Sequence, residues 1–446
     1  MIQLLPHQIG IVREETTRDN VLVVSPMASG KTLATLTAST ALIYRESVKN
    51  ILIIAPKRVA RGVWAQEAAK YDMGLNIRFC ERAVDVKLFL VEPANHRICV
   101  CSVTRITEIP HGCWDMVIID ESTLFGNKKA IRSKEARRIC NGVKRRVLLT
   151  GTPIHGGYEK LWHQIFLLDG GKALGKSLTA FREKYMRVKY QSHGAYTVWE
   201  MREDMIPQLH ADIKHLVYVV KDSIDLPPCL YKNVYVELPA KRRKEYEAFE
   251  DTSIVSFREE NKGVSNPYGD AKTLVAFAAS ARGSKLRQLA TGCVYADENK
   301  KAYSVTHTEK IEALQDLVGS FDGGLLVAYQ FQSEYEELKK AFPTSRQIGT
   351  LQDENDWNAG RIPIALAQSQ SIGHGLNLQF GGHVIVWYSP TYDAEVYSQF
   401  NARLPRPGQK ADSVSIIHLI ARNTIEERVL KVIQHKGKNA EQFTKI

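Results

Sequence analysis

The sequence has no apolar run near the roughly 18 residues that a membrane helix needs. Residues 1–15 also lack the basic-then-apolar pattern of a secretory signal. Its seven cysteines are scattered, and no two of them have the two-residue gap of a zinc or redox motif. The thirteen histidines form no ligand-spaced cluster. These absences predict a cytoplasmic protein without membrane helices, disulfides or a protein-bound transition metal.

The chain has 60 Lys and Arg residues against 49 Asp and Glu, a net charge of +11 over 446 residues. A basic balance favours a polyanionic partner such as nucleic acid, although charge alone does not identify one. The excess is concentrated between Lys128 and Arg146, where nine basic residues accompany a single acid, Glu135. This basic segment is either the solvated face of a helix or a strip that contacts phosphates, and both interpretations stay open.

Two parts of the chain alternate short Val-, Ile- and Leu-rich runs with longer amphipathic stretches, a pattern typical of βαβ units around a buried parallel sheet. The residues between them lack this rhythm, resemble helices and contain a break at Pro227-Pro228. We therefore predict an α/β protein with two parallel-sheet lobes, residues 1–155 and 301–446, and a mostly helical insertion with a linker at 156–300. The predicted strands are 21–25, 51–55, 98–102, 116–120, 147–150, 325–329, 362–367, 384–388 and 414–420.

A loop of small residues, Ser25-Pro26-Met27-Ala28-Ser29-Gly30-Lys31-Thr32, joins the first predicted strand to a helix. Such a loop turns backbone N–H groups inward and places a helix N-terminus beneath bound phosphates. We predict that Ser29, Gly30 and Lys31 hold the phosphates and that the Thr32 hydroxyl binds Mg²⁺. The loop departs from the usual pattern at Ser25, where glycine is expected, and the alternative is an ordinary strand-to-helix turn.

The predicted strand 116–120 ends in two adjacent acids, Asp120 and Glu121. Because the carboxyl ends of parallel strands lie at one edge of a sheet, we expect this pair beside the phosphate loop. Asp120 is predicted to hold Mg²⁺ through water, and Glu121 to orient or deprotonate the attacking water. The alternative is that the two acids only open a loop.

Taken in order, these segments resemble the motifs of superfamily-two helicases, and within them the Snf-type double-stranded DNA translocases. The resemblance extends along nearly the whole chain, and the chain is most similar to a compact bacterial or bacteriophage form of these translocases. It implies that the two lobes are RecA-like, and that the cytoplasm is that of a bacterium or an infected host cell. The matching segments are Leu5-Pro6-His7-Gln8, 54–57 with Trp64 downstream, 102–104, Asp120-Glu121, 149–154, 371–378, 399–409 and 424–429.

The resemblance also implies roles for individual residues. Gln8 would contact adenine, and Thr150 and Thr152 would couple hydrolysis to movement. Planar, permanently charged arginines suit a transferring phosphoryl group, and the resemblance implies that Arg403 and Arg406 face ATP across the interlobe cleft. Gln399, four residues before Arg403, shares its helix face and is predicted to be catalytic with them. DNA would be contacted mainly at its phosphates, by Lys57, Arg58, Thr104, Arg105, Lys128, Lys129, Gly373 and Asn377.

Two positions depart from the family pattern. Thr123 stands where the family usually has histidine, so the contact made by that histidine is in question. Pro405 and Pro407 flank Arg406, and we expect them to end the preceding helix near Leu404.

We predict an enzyme that uses ATP and Mg²⁺ to move along, or remodel, double-stranded DNA. Its specificity would come from the insertion or from another protein. Three alternatives remain: a strand-separating or fork-remodelling helicase, an RNA helicase, and a nucleic-acid-binding assembly protein with a vestigial ATPase. The retained identities of Lys31, Thr32, Asp120 and Glu121 disfavour the last of these.

Overall fold

The computed structural model describes residues 2–154, 157–191, 197–221, 226–260, 274, 277–296, 302–321, 323–371 and 376–443. Apart from two short segments, the chain divides into one compact unit of Met1–Tyr190 with Val198–Ile224 and a second of Asp225–Lys438. The division falls beside the Pro227-Pro228 break. Among the described residues, no helix combines the length and apolar content required to cross a membrane.

The first unit contains a seven-stranded sheet in which every neighbouring pair is parallel, in the order β3-β4-β2-β5-β6-β1-β9. All strands of such a sheet end at one edge, which collects the loops that follow them. A separate two-stranded sheet pairs β7 with β8. The strands are β1 (Asn20–Val24), β2 (Asn50–Ala55), β3 (Ile77–Cys80), β4 (Arg97–Ser102), β5 (Met116–Ile119), β6 (Arg145–Thr150), β7 (Met186–Gln191), β8 (Thr197–Met201) and β9 (Val217–Val219).

Apolar cores cover both faces of the seven-stranded sheet. Leu22 and Val24 point into one core, whereas Val21 and Val23 point into the other. Side chains alternate across a strand, so a strand buried on both faces must be apolar at every position. The flanking helices are α1 (Pro6–Thr17), α2 (Lys31–Tyr44), α3 (Trp64–Lys70), α4 (Ala83–Val91), α5 (Ile131–Cys140), α6 (Tyr158–Asp169), α7 (Leu178–Tyr185) and α8 (Ile206–Ile213).

The second unit contains a six-stranded parallel sheet in the order β10-β17-β16-β13-β15-β14, and a small antiparallel pair, β11-β12. Its strands are β10 (Cys229–Val236), β11 (Cys293–Tyr295), β12 (Tyr303–Val305), β13 (Leu325–Tyr329), β14 (Arg346–Gln347), β15 (Ile364–Gln368), β16 (Val384–Trp387) and β17 (Val414–Ala421). The helices that accompany them are α9 (Ala240–Glu260), α10 (Ala281–Thr291), α11 (Glu309–Val318), α12 (Gln332–Ala341), α13 (Leu351–Asn358), α14 (Ala394–Asn401) and α15 (Ile425–Phe443).

The predicted fold class is confirmed, and every predicted apolar run overlaps a strand of one of the two parallel sheets. The sequence did not predict β3, β9, β10 and β14, which are the four edge strands of these sheets. The helix before Arg406 ends at Asn401, three residues before the predicted end. Its last turn tightens, since the Arg403 N–H bonds to the Phe400 carbonyl at 3.1 Å.

Candidate nucleotide-binding site

The phosphate-loop segment connects the end of β1 to the start of α2, as predicted. Two of its residues have left-handed backbone conformations, Ala28 with φ +62° and Gly30 with φ +72°. Ser25, which stands where glycine was expected, is not among the positive-φ residues. Its hydroxyl instead donates to Ser29 Oγ at 2.7 Å, and both side chains are buried. The loop therefore accommodates serine at this position and ties its two ends together.

The Lys31 side chain folds back over the loop. Its Nζ donates to the carbonyl oxygens of Ser25 at 2.9 Å and Pro26 at 3.0 Å. Thr32 follows in the first turn of α2, where the free N–H groups and the helix dipole favour an anion. This combination of a lysine, a hydroxyl and a helix N-terminus suits a polyphosphate with a hard cation.

Helix α1 is held against the phosphate loop by two side chains. His7 Nε2 lies 2.8 Å from the Ser29 carbonyl oxygen, and Gln8 Nε2 donates to the same atom at 3.3 Å. The other end of the Gln8 amide accepts from the Leu5 N–H at 2.9 Å. Gly30 suits this position because its φ of +72° is strained for a residue with a side chain, and a Cβ there would lie 2.1 Å from Gln8 Nε2 and displace that amide. The structure thus places Gln8 on the loop itself, and its predicted contact with adenine stays a prediction.

The acid pair follows β5, which is separated from β1 by β6 alone. The pKa of Asp120 is raised to about 7, mainly by burial and in addition by the charge of the neighbouring Glu121. The Lys31 ammonium acts in the opposite direction and lowers that pKa. The Asp120 carboxylate also accepts from the Glu121 N–H at 3.0 Å. A partly desolvated carboxylate beside a second acid favours a nearby cation, which fits the predicted Mg²⁺ ligand.

Glu121 has a left-handed backbone, with φ +51° and ψ +56°. Such a conformation is strained for a residue with a side chain, and it persists only where the surroundings hold it. It separates β5 from a short 3₁₀ helix, Ser122–Phe125. This conformation changes the direction of the backbone directly after Asp120, at the edge of the sheet where the phosphate loop lies.

The segment after β6 joins the same edge. Thr150 is buried, its carbonyl accepts from the Ser25 N–H at 3.0 Å, and its hydroxyl accepts from the Thr152 N–H at 3.1 Å. These bonds connect the predicted coupling residues to the phosphate loop. Sequence reasoning did not identify Gln164, whose buried side chain bonds to the carbonyl of Pro153 at 2.8 Å. A glutamine among the apolar residues of α6 was the available signal.

The predicted DNA-contacting residues of the first unit lie along the same edge, farther from the phosphate loop. Lys57 and Arg58 follow β2, and Thr104 and Arg105 follow the adjacent strand β4. Lys57, Thr104 and Arg105 are exposed, and the two charged side chains among them have acidic partners. These pairs are solvent-exposed, and such ion pairs contribute little to stability. Both side chains therefore remain available to a phosphate.

The basic segment 128–146 contains cations that contact other parts of the protein and cations that are exposed, and its contact with phosphates stays a prediction. Arg137 packs over the Phe166 ring at 4.4 Å, and Lys128 Nζ lies 5.7 Å from the Trp162 ring. Arg138 pairs with Glu135 at 3.0 Å. Arg145 and Arg146 also make intramolecular contacts. Four cations of this segment are exposed and make none of these side-chain contacts with the described residues: Lys129, Arg132, Lys134 and Lys144.

The predicted ATP-facing residues of the second unit cluster with Asn377. Arg403 is buried and donates to the Gln399 and Leu376 carbonyl oxygens at 2.9 and 3.2 Å. Arg406 is half-buried, donates to the Ala402 carbonyl at 3.0 Å and bonds to the Asn377 side chain. The structure therefore brings Gln399, Arg403, Arg406 and Asn377 together. Gly373 lies outside the described residues.

The chain is similar to one protein family and to several known proteins. The family model described as the SNF2-related domain matches residues 11–282. A phage protein, p41 of Acyrthosiphon pisum secondary endosymbiont phage 1, is 32% identical over 434 residues, which are 91% of this chain and 90% of the relative. The DNA annealing helicase and endonuclease of Bos taurus is 24% identical over 98% of this chain, which spans only 40% of that protein.

The chain is also similar to a bacterial helicase and to a solved structure. The ATP-dependent helicase YqhH of Bacillus subtilis (strain 168) is 23% identical over 97% of this chain and 78% of its own length. Among solved structures, the Sulfolobus solfataricus SWI2/SNF2 ATPase core in complex with dsDNA covers 99% of this chain and 92% of its own, with 16% identity and a TM-score of 0.45.

The fold defines an α/β protein with two parallel sheets, and its first unit carries a candidate nucleotide-binding loop. From the family match and the phage relative, the chain belongs to the SNF2-related family. The resemblance predicted from its motifs, including the similarity to a phage form, is confirmed.

Proposed function

We propose that this protein is an ATP-dependent motor that moves along, or remodels, double-stranded DNA. One observation carries the proposal most directly: the Lys31 ammonium closes over the loop that follows β1, and the acid pair follows β5 at the same edge of the parallel sheet. A cation donor and two carboxylates at one edge of a parallel sheet are the groups that phosphoryl transfer to water requires. Membership of the SNF2-related family supports DNA as the partner.

In this proposal the loop residues Ser29, Gly30 and Lys31 hold the phosphates, and Gln8 contacts the base. Mg²⁺ would neutralise charge on the phosphates, held by the Thr32 hydroxyl and the Asp120 carboxylate, which are hard oxygen ligands. Glu121 would position and deprotonate the water. Its strained backbone supports this role, because strain of this kind concentrates at functional sites.

The second unit would contribute its arginines during turnover. Arg406 is the stronger candidate for a transition-state contact, because among the described residues its guanidinium bonds to the Ala402 carbonyl and to the exposed side chain of Asn377. Arg403 is buried against the Leu376 carbonyl, which supports a role in holding the 376–377 segment in place. Gln399 would act beside them, and Thr150 and Thr152 would couple hydrolysis to movement.

DNA would be held mainly by phosphate contacts from Lys57, Arg58, Thr104 and Arg105, which follow strands β2 and β4 of the first sheet. Asn377 and Gly373 would contribute from the second unit. Lys129 and the other exposed cations of the basic segment, with Lys128 beside them, would add to the positive surface. Contacts of this kind predict weak sequence preference and strong salt dependence. The proposal places the protein in the cytoplasm of a bacterium or an infected host cell, with specificity from the insertion or a further protein.

A second candidate function is the annealing or remodelling of DNA forks. It is favoured by the relative from Bos taurus, a DNA annealing helicase, which is similar over 98% of this chain. The two activities use the same motor, so a strand-annealing assay distinguishes them. Annealing activity predicts faster duplex formation from complementary single strands in the presence of ATP.

The experiment that tests the nucleotide site is ATP hydrolysis by Lys31→Ala. We expect hydrolysis to fall by about 10²–10³ or more, as for the loss of one group that stabilises transition-state charge, while duplex DNA binding is retained. Lys87→Ala, at an exposed lysine of α4 in the same unit, is the matched control and keeps the wild-type rate. Turnover that survives in Lys31→Ala would contradict the assignment of the phosphate loop.

A further inference from the structure

A buried chain of hydrogen bonds crosses the first unit behind the acid pair. The Ser122 hydroxyl donates to Gln164 Oε1 at 2.7 Å. The amide nitrogen of Gln164 donates in turn to the Pro153 carbonyl at 2.8 Å and to the Lys160 carbonyl at 3.2 Å. Ser122 and Gln164 are both 0% exposed. One side chain, on α6, therefore joins the segment after β5 to the segment after β6.

Both ends of this chain lie next to residues of the proposed site. Ser122 directly follows Glu121, whose left-handed backbone needs a partner to hold it. Pro153 closes the segment that begins with Thr150, and the Thr150 carbonyl accepts from the Ser25 N–H of the phosphate loop. A displacement of one of these segments would therefore be transmitted to the other through the hydrogen bonds of Gln164.

The burial of Gln164 argues for a specific role. Its neighbours Leu161, Ile165 and Leu168 are apolar members of the core, and an apolar residue at 164 would pack there without the cost of burying an amide. The amide is retained in this environment with both its oxygen and its nitrogen bonded. A buried polar group that is fully bonded rigidifies what it connects, whereas removing it leaves its partners without bonds.

We propose that Gln164 is a positioning residue that holds the backbone of Glu121 and the Thr150–Pro153 segment in one geometry. Its amide oxygen anchors the residue after the strained glutamate, and its amide nitrogen anchors the end of the coupling segment. The kinetic consequence rests on the proposed ATPase function, whereas the mechanical connection does not.

Hydrogen–deuterium exchange of the whole protein tests the connection without reference to activity. In Gln164→Met, which keeps a similar volume but makes neither bond, we expect amides of residues 121–125 and 151–154 to exchange about tenfold faster, since two buried bonds are lost. The control is Ile165→Val, which removes one methyl group from the adjacent buried position. Wild-type exchange in both segments of Gln164→Met, or equal acceleration in the control, would overturn the proposal.

Kinetics provides the second readout. If Gln164 positions the acid pair, Gln164→Met lowers kcat by about tenfold while KM for ATP stays within about twofold, because the loss is confined to the transition state. Ser122→Ala combined with Gln164→Met should be no slower than Gln164→Met alone, since both act through one chain. An active wild type with an unchanged kcat in Gln164→Met refutes the positioning role. A wild type without hydrolysis refutes the proposed function, and the exchange result still decides the connection.

Discussion

The buried carboxyl of Glu15 gives the structure a pH dependence that can be worked out in advance. Glu15 is 0% exposed on α1, and it accepts from the Thr35 hydroxyl of α2 at 2.8 Å. Burial raises the pKa of Glu15 from its ordinary 4.5 to about 8, against a smaller lowering by Thr35. This contact joins the helix that carries Gln8 to the helix that begins with Lys31, so it supports the framework of the nucleotide site.

The sign follows from proton linkage. The folded protein keeps a proton on Glu15 that the unfolded chain releases above its own lower pKa. The contribution of this group to stability is therefore complete below about pH 4.5, and it is lost as the pH rises towards about 8. At 1.36 kcal/mol per pKa unit, the loss between pH 5 and pH 7 comes to about 2.5 kcal/mol.

Glu15→Gln removes the titration and keeps an oxygen that can accept from Thr35. Between pH 5 and pH 7 the opening free energy of the first unit should therefore fall by about 2.5 kcal/mol more in the wild type than in Glu15→Gln. Native-state hydrogen exchange of amides in β1 and β6 measures that free energy for this unit alone. Glu183→Gln, at an exposed acid of α7, is the matched control and should follow the wild type. Equal pH dependence in Glu15→Gln and wild type would refute the reasoning.

Three further predictions follow from the second unit and the basic segment. Arg406→Ala should slow ATP turnover by about 10³ with a much smaller change in nucleotide affinity. A steady-state turnover rate equal to that of the wild type would show that Arg406 is not part of the site. Lys310→Met breaks the buried pair with Glu426, whose N···O distance is 2.7 Å. It should destabilise the second unit by about 3–5 kcal/mol in urea unfolding, and adding Glu426→Gln should restore part of the loss. Neutralising the exposed cations Lys129, Arg132 and Lys134 should flatten the slope of log affinity for duplex DNA against log salt by about 2–3. An unchanged slope would show that these side chains are only solvated surface residues.

The sequence predicted the interiors of both sheets because their strands are buried on both faces. Val21–Val24 are nearly inaccessible, and such positions must be apolar, so the strand is visible as a continuous run. The edge strands have no such requirement. Most of β10 is exposed, and β3 carries the exposed Arg78 at its second position, so neither has the composition of a buried strand.

The candidate site residues come from motif identity. Lys31, Asp120 and Glu121 are predicted because the chemistry restricts which side chains can occupy those positions. Motif identity did not show that Ser25 is tolerated, since that depends on which loop residues adopt positive φ. Nor did it reveal Gln164, which lies far along the chain from Ser122 and meets it only in the folded core.

The most direct test of the central claim is the steady-state rate of ATP hydrolysis by the whole protein without nucleic acid and with single-stranded DNA, double-stranded DNA, a forked duplex or RNA. The account predicts that double-stranded DNA gives the strongest stimulation, that high salt removes it, and that Lys31→Ala abolishes it. Stimulation mainly by single strands or RNA, or no hydrolysis with any of these substrates, would contradict it.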